Sequence, residues 1–93
     1  MNLYEETRRD LELHGYSFAD IRRIECGGED IKLEEFTSVS KKLNYEPSDG
    51  MQTVEPTLKI CGDSWELVRC FTEGTEYWDI RPKLNDHREC AVQ

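Results

Sequence analysis

The sequence predicts an α+β fold in which two amphipathic helices pack on one face of a small antiparallel sheet. Three observations predict it: two stretches of helical periodicity in the first half, a three-stranded C-terminal β-meander, and a length of 93 residues, which suffices for one modest core. A fourth strand near residues 21–26 would extend the same sheet. We therefore expect a single compact domain over residues 1–82 and a flexible C-terminal tail over residues 83–93.

The first helix is predicted over residues 2–14, with Gly15 as its C-cap. One arc of about 100° collects the positions that should face the core: Leu3, Tyr4, Thr7, Leu11 and His14. The remaining face carries charges that we expect to pair weakly in solvent: Glu5 with Arg8 or Arg9, and Glu6 with Arg9.

The next segment fits two structures. Ser17 and Asp20 have the spacing of a capping box, which favours a helical turn. Ile24 and Cys26 alternate ahead of a Gly-Gly pair, which favours a short strand that ends in a turn. We predict the strand over residues 21–26 and keep the helical turn as the alternative.

A second helix is predicted over residues 33–43. Its core-facing stripe has helical spacing: Leu33, Phe36, Val39, Ser40 and Leu43. Glu34 and Glu35 in the first turn, with two lysines in the last turn, complement the helix dipole.

Residues 44–56 contain two prolines and an Asp-Gly pair, so we predict a surface loop of about a dozen residues. Tyr45, at the start of this loop, should cover the edge of the core.

The meander is predicted from two-residue hairpin turns at Gly62-Asp63 and Glu73-Gly74. These turns define the expected cross-strand pairs: Ile60 with Trp65, Lys59 with Glu66, Leu58 with Leu67, Phe71 with Glu76, Arg69 with Trp78, Leu67 with Ile80, and Glu66 with Arg81. One face then collects the apolar side chains: Leu58, Ile60, Trp65, Leu67, Phe71, Trp78 and Ile80. The other face is mixed: Lys59, Glu66, Val68, Cys70, Tyr77, Asp79 and Arg81. We expect both tryptophans in the core and the Arg69 guanidinium over the Trp78 indole.

Catalytic, cofactor and metal motifs are not evident in the sequence. The four cysteines lack a C-x-x-C pair, and His87 with Cys90 supplies only two ligands, so we predict no metal site and expect two buried and two exposed thiols. Nucleotide-binding glycine loops and Ser-His or Cys-His arrangements are likewise missing. We therefore expect a protein without a cofactor that is not an enzyme.

The charge balance limits the kinds of partner. Twenty acidic against 12 basic residues give a net charge of −8, which argues against direct nucleic-acid binding through phosphate neutralisation. No apolar run approaches the ~18 residues of a membrane span, and the amino terminus lacks the pattern of a secretory signal. These features predict a cytoplasmic protein that does not bind membranes.

Several short motifs carry a resemblance across residues 20–82. They are Asp20-Ile21, Glu34-Glu35-Phe36, Asn44-Tyr45, Gly50, Leu58-x-Ile60-x-Gly62-Asp63-x-Trp65-x-Leu67-x-Arg69 and Gly74-x-Glu76-Tyr77-Trp78. In this order they resemble small uncharacterised proteins of bacteriophages and prophages of Gram-positive bacteria. The sequence departs from that pattern at Glu66, where a second aromatic residue is common. The resemblance implies a phage or mobile-element setting in a bacterial host cell and implies no chemistry.

Two functional hypotheses follow. In the first, the chain is an acidic protein-binding domain that inhibits a host nucleic-acid-handling or defence protein, as an anti-CRISPR protein does. Carboxylates would replace phosphates on a basic surface, and two further residues would anchor an outer-face contact. The candidate binding residues are Glu29, Asp30, Glu34, Glu35, Tyr77 and Arg81.

The second hypothesis is a structural or assembly accessory. It would self-associate through a sheet edge or the outer sheet face, so that the chain is a monomer or a weak homodimer. The net charge would then serve only solubility.

Overall fold

The computed structural model describes residues 1–82 and has the predicted α+β architecture. Those residues form two α-helices and one five-stranded antiparallel sheet. The tail predicted over residues 83–93, with His87 and Cys90, lies outside the described residues.

The sheet contains two strands more than the predicted meander. In chain order the elements are α1 (Leu3–Leu13), a 3₁₀ turn (Phe18–Asp20), β1 (Arg23–Cys26), β2 (Glu29–Asp30), α2 (Leu33–Lys42), β3 (Lys59–Cys61), β4 (Trp65–Thr72) and β5 (Thr75–Pro82). The spatial order of the strands is β2-β1-β3-β4-β5, so β2 and β5 form the two edges.

The ends of α1 follow from local hydrogen bonding. The Asn2 side chain accepts a hydrogen bond from the Glu5 N–H at 3.2 Å and caps the helix. Gly15, with a φ of 82°, allows the chain to leave the helix. The predicted bounds are therefore correct to within one residue at each end.

Both structures considered for the segment after α1 are present, one after the other. Ser17 and Asp20 form a capping box around the 3₁₀ turn, in which the Ser17 N–H donates to the Asp20 carboxylate at 2.8 Å. The chain then extends into β1, which confirms the predicted fourth strand. The fifth strand, β2, was not predicted because its two charged residues have low strand propensity.

The β4–β5 hairpin has the predicted register. Phe71 lies opposite Glu76, and Leu67 lies opposite Ile80. The turn residues Glu73 and Gly74 have φ values of 54° and 81°, as a type I′ turn requires.

The predicted β3–β4 register is wrong by two residues. Ile60 pairs with Leu67 rather than Trp65, because the turn is centred one residue later, on Asp63-Ser64. Gly62 instead continues the ladder, and its N–H donates to the Trp65 carbonyl at 2.8 Å. A displacement of two residues keeps each side chain on its predicted face, so the division into inner and outer faces is preserved.

The inner face of the sheet and both helices enclose one core. Its buried apolar members are Leu3, Leu11, Ile24, Phe36, Tyr45, Val54, Leu58, Ile60, Trp65, Leu67 and Trp78. Tyr16 stacks on Trp65 with 4.7 Å between ring centroids. The Trp78 indole N–H donates to the Thr7 hydroxyl at 3.0 Å, which fixes α1 over β5. Tyr45 is buried at the edge of the core, as predicted.

Several side chains predicted to face the core are exposed. Phe71, near the end of β4, is 40% exposed. On α2 only Phe36 and Ser40 are fully buried, so the contact stripe is narrower than predicted and leaves Leu33 and Val39 exposed.

Polar and thiol side chains also depart from the sequence prediction. His14 follows the last turn of α1 and is exposed, with its Nδ1 2.9 Å from the Asp10 carbonyl oxygen. Among the described cysteines, Cys61 is buried, whereas Cys26 and Cys70 are half-buried.

We predict that Gly62→Ala destabilises the fold by about 2 kcal/mol or more, because a Cβ at this position would lie 2.1 Å from the Trp65 ring and force it out of the core. The check is the free energy of unfolding from urea denaturation. Asp63→Ala, in the exposed turn beside it, is the control and should change stability much less. Equal losses would contradict the assigned packing of Trp65.

Candidate functional site

Four of the predicted binding residues form a continuous acidic edge. Glu29 and Asp30 make up β2, and Glu34 and Glu35 occupy the first turn of α2, so all four are exposed at one edge of the sheet. We call these four residues the acidic edge. Their position follows from the chain path, because only two residues separate the end of β2 from the start of α2.

Ion pairing within the acidic edge is incomplete. Asp30 accepts a hydrogen bond from Arg23 Nε at 2.6 Å. Within residues 1–82 the other three carboxylates form no ion pair. No side-chain cap occupies the amides at the start of α2, so these amides interact favourably with Glu34 and Glu35. Lys32, between the two pairs of acids, is exposed and forms no ion pair within residues 1–82, so it offsets one of the three unpaired charges. The acidic edge therefore presents a net negative charge to solvent.

Tyr77 and Arg81 lie far from the acidic edge. Both belong to β5, at the opposite edge of the sheet from β2, and four strand spacings place the two edges about 19 Å apart. The structure therefore separates the six candidate residues into two surfaces.

The outer face around Tyr77 and Arg81 is balanced in charge. Arg81 donates from Nε to Asp79 at 3.0 Å and from Nη2 to the Cys70 sulfur at 3.7 Å. On the same face, Lys59 Nζ lies 3.8 Å from Glu66 Oε1. Tyr77 is 38% exposed, and its hydroxyl lies 3.3 Å from the Thr72 hydroxyl. Because its cations are already paired, this face offers less uncompensated charge than the acidic edge.

A buried charge cluster lies under α1 that sequence reasoning did not find. Arg69 has no exposed side-chain surface and donates to Glu6 at 3.0 Å and to Glu76 at 3.2 Å. The expectation that Glu6 pairs with Arg9 in solvent is wrong, because Glu6 faces the sheet. The predicted register put Arg69 opposite Trp78, on the apolar face of the sheet. Because a buried charge requires partners, this position was the sequence signal for a buried cluster.

Glu76 joins this cluster to the loop after α2. Its two carboxylate oxygens accept hydrogen bonds from the Thr53 N–H at 2.7 Å and the Val54 N–H at 2.9 Å. The Arg69 guanidinium also lies over the Trp78 indole, 4.8 Å from the ring centroid, as the sequence predicted. Both hydrogen-bonded ion pairs of Arg69 are buried, which favours a structural role, while the Arg69 Nε atom is buried without a hydrogen-bond partner in residues 1–82.

Burial changes the protonation of the acids beside the cluster. Desolvation raises the pKa of Glu6 above its usual value, although the Arg69 charge opposes the shift. Desolvation also raises the pKa of Asp10, one turn further along α1, against the lowering effect of His14 and Arg69.

A small apolar cavity lies beside the acidic edge. It has a volume of about 190 Å³, opens to solvent and is bounded by α2, the end of β1, the end of the long loop and Leu58. Apolar side chains form most of its wall, including Phe36, Leu43, Val54 and Leu58, and its two carboxylates are Glu35 and Glu55. Sequence reasoning could not find it, because its walls come from elements that are distant in the chain.

Comparisons with other proteins leave the chain without a family assignment. No protein-family model, curated protein or solved structure matches it. In residues 1–82 no helix is long and apolar enough to cross a membrane. The same residues contain no cluster of three or more side chains that could ligate a metal ion.

We predict that Glu76→Gln lowers the free energy of unfolding by about 3–5 kcal/mol, because an amide provides one acceptor oxygen where two are used and leaves Arg69 undercompensated. Glu6→Gln is the matched variant: it keeps an acceptor for Arg69 and removes a desolvated charge, so it should cost less than about 1 kcal/mol. Urea denaturation at pH 7 measures both. Similar losses would mean that Glu76 does not organise the cluster.

The raised pKa of Glu6 also predicts a pH dependence. Below its usual value of 4.5, Glu6 is protonated in both the folded and unfolded states. As the pH rises past 4.5 the unfolded chain loses this proton first, so wild type loses stability relative to Glu6→Gln until the folded-state pKa is passed. Unfolding free energies of both proteins from pH 4 to 7 test this. A difference that is constant with pH would contradict it.

Proposed function

We propose that this chain is a small non-enzymatic protein-binding domain whose acidic edge contacts a basic surface of a partner protein. The observation that carries the proposal is the exposed, unpaired charge of Glu29, Glu34 and Glu35, in contrast to the outer face, where acids and bases are paired. Uncompensated surface charge of one sign accelerates association with a surface of the opposite sign.

The proposed partner is a host protein with a basic nucleic-acid-binding surface. Carboxylates spaced along β2 and the first turn of α2 would occupy positions that phosphates otherwise take on such a surface. The resemblance to phage and prophage proteins supports a bacterial host cell as the setting. Binding there would inhibit a nucleic-acid-handling or defence protein, in the manner of an anti-CRISPR protein.

The shape of the acidic edge supports contact with a groove. Side chains alternate across a strand, so the carboxylates of Glu29 and Asp30 lie on opposite sides of β2. The two α2 acids extend the charge along the helix start. Because Asp30 is paired with Arg23, the unpaired charge of Glu29, Glu34 and Glu35 suits a groove in which Lys and Arg line the wall that faces those three residues.

A second candidate function, self-association, is favoured by the open edge of β5. The Glu76 N–H points away from β4 and donates to the Pro47 carbonyl at 2.9 Å. By the alternation of an antiparallel ladder, Trp78 and Ile80 point their backbone groups the same way, and within residues 1–82 these groups have no backbone partner. A second copy could pair there, although Pro82 limits the length of such a ladder.

We predict that the acidic edge is needed for partner capture. The protein is immobilised and exposed to a nuclease-treated lysate of a Gram-positive bacterium, and bound proteins are eluted in salt steps. We expect basic nucleic-acid-binding proteins to be released between about 50 and 200 mM salt. The variant Glu29→Gln/Asp30→Asn/Glu34→Gln/Glu35→Gln should lose them.

The matched control removes four exposed acids elsewhere: Glu12→Gln, Glu46→Gln, Asp63→Asn and Glu73→Gln. It has the same net charge as the edge variant and should still capture the partner. Equal capture by both variants would contradict the proposal. Sedimentation at micromolar concentration tests the second candidate, which requires a concentration-dependent dimer.

A further inference from the structure

The cavity next to the acidic edge is apolar and opens at the surface of α2. Ile31, Phe36 and Leu58 line it, and Val39, which is 60% exposed, lies on its solvent side. Val39 belongs to the stripe that the sequence predicted to be covered by the core. The domain therefore leaves part of an apolar helix stripe, and the cavity behind it, without a covering group from residues 1–82.

The size of the cavity restricts what can fill it. Sites for metabolites and cofactors commonly enclose roughly 300–1,000 Å³, whereas this cavity measures about 190 Å³. A cavity of roughly 150 Å³ lined by aliphatic and aromatic groups accepts a benzene-sized molecule. The space therefore fits one bulky apolar side chain better than a free small molecule.

The charges beside the cavity indicate which residues would flank such an apolar side chain in a partner. Glu35 belongs to the acidic edge and is exposed, and Glu55 lines the cavity from the loop side. The Glu55 carboxylate is held in place, because its Oε1 accepts a hydrogen bond from the Thr57 hydroxyl at 3.1 Å. The same hydroxyl accepts the Gly27 N–H at 2.9 Å, which joins the loop to the β1–β2 turn. Two carboxylates therefore flank an apolar cavity, one of them fixed by hydrogen bonds.

We propose that this cavity is an anchor site for a partner segment in which a bulky apolar side chain is flanked by Lys or Arg. The apolar side chain enters the cavity while the flanking cations contact Glu35 and Glu55. This inference rests on the proposed function, since it assigns to the basic partner a specific point of contact. It adds sequence selectivity to binding that charge alone would leave unselective.

Two synthetic peptides provide the probe: Gly-Lys-Lys-Leu-Lys-Lys-Gly and the same peptide with Gly in place of Leu. The ¹⁵N-labelled full chain is titrated with each at about 50 mM salt. We expect the Leu peptide to bind about tenfold more tightly, because it buries an apolar side chain. It should also shift the amide signals of Phe36, Val54 and Leu58 further than the Gly peptide does.

A matched pair of variants locates the effect. Val39→Lys places a cation at the cavity, four residues after Glu35, and should abolish the preference for Leu. Ser38→Lys adds the same charge to the same helix four residues after Glu34 but outside the cavity, so it should keep the preference. Both substitutions are at exposed helix positions with an acidic residue one turn before, which favours the helix.

The outcomes separate this inference from the proposed function. If wild type binds both peptides equally, or if both variants keep the same preference for Leu, the anchor site is wrong while binding by the acidic edge stands. If neither peptide binds even at low salt, the acidic edge does not recognise basic segments and both proposals fail. Loss of the preference in Val39→Lys alone supports the anchor site.

Discussion

The fully buried guanidinium of Arg69 is the constraint on which the rest of the domain depends. A charge without solvent needs partners, and Arg69 takes them from α1 through Glu6 and from β5 through Glu76. Glu76 in turn accepts the backbone N–H groups of Thr53 and Val54 from the long loop. Arg69 makes both ion pairs, and Glu76 accepts all of its hydrogen bonds, only when a helix, a hairpin and a loop are in place. Hydrophobic burial alone would tolerate other positions of α1 on the sheet, whereas the Arg69 contacts specify one.

This arrangement also determines which surfaces are available to a partner. The loop carries Val54 into the core and Glu55 to the surface, so the hydrogen bonds to Glu76 fix one wall of the cavity. The other wall is α2, whose first turn belongs to the acidic edge. The structural cluster and the candidate binding surface are therefore linked through the loop.

Local signals in the sequence predicted much of the fold. The Glu73-Gly74 turn determined a complete hairpin register, and Gly15 marked the end of α1. The first hairpin turn was predicted one residue too early. Gly62 is needed because a side chain there would overlap the Trp65 ring, and the turn itself does not require it. Glu6 and its partner Arg69 are 63 residues apart, and helical periodicity cannot identify such a partner. The strand order places β2 and β5 at opposite edges and so divides the candidate residues between two surfaces. This division could not be predicted, because periodicity does not specify the order of strands in a sheet.

The contacts of α1 have a consequence for the order of folding. Thr7 meets Trp78 across 71 residues of sequence, whereas the β4–β5 hairpin closes over a two-residue turn. Closing a long chain segment costs more entropy than closing a short one, so we expect the hairpin to form before α1 docks. On the ribosome α1 is synthesised before its partners on β4 and β5. Its apolar face, with Leu3 and Leu11, therefore stays uncovered until those strands emerge, and during that interval the nascent chain is exposed to aggregation.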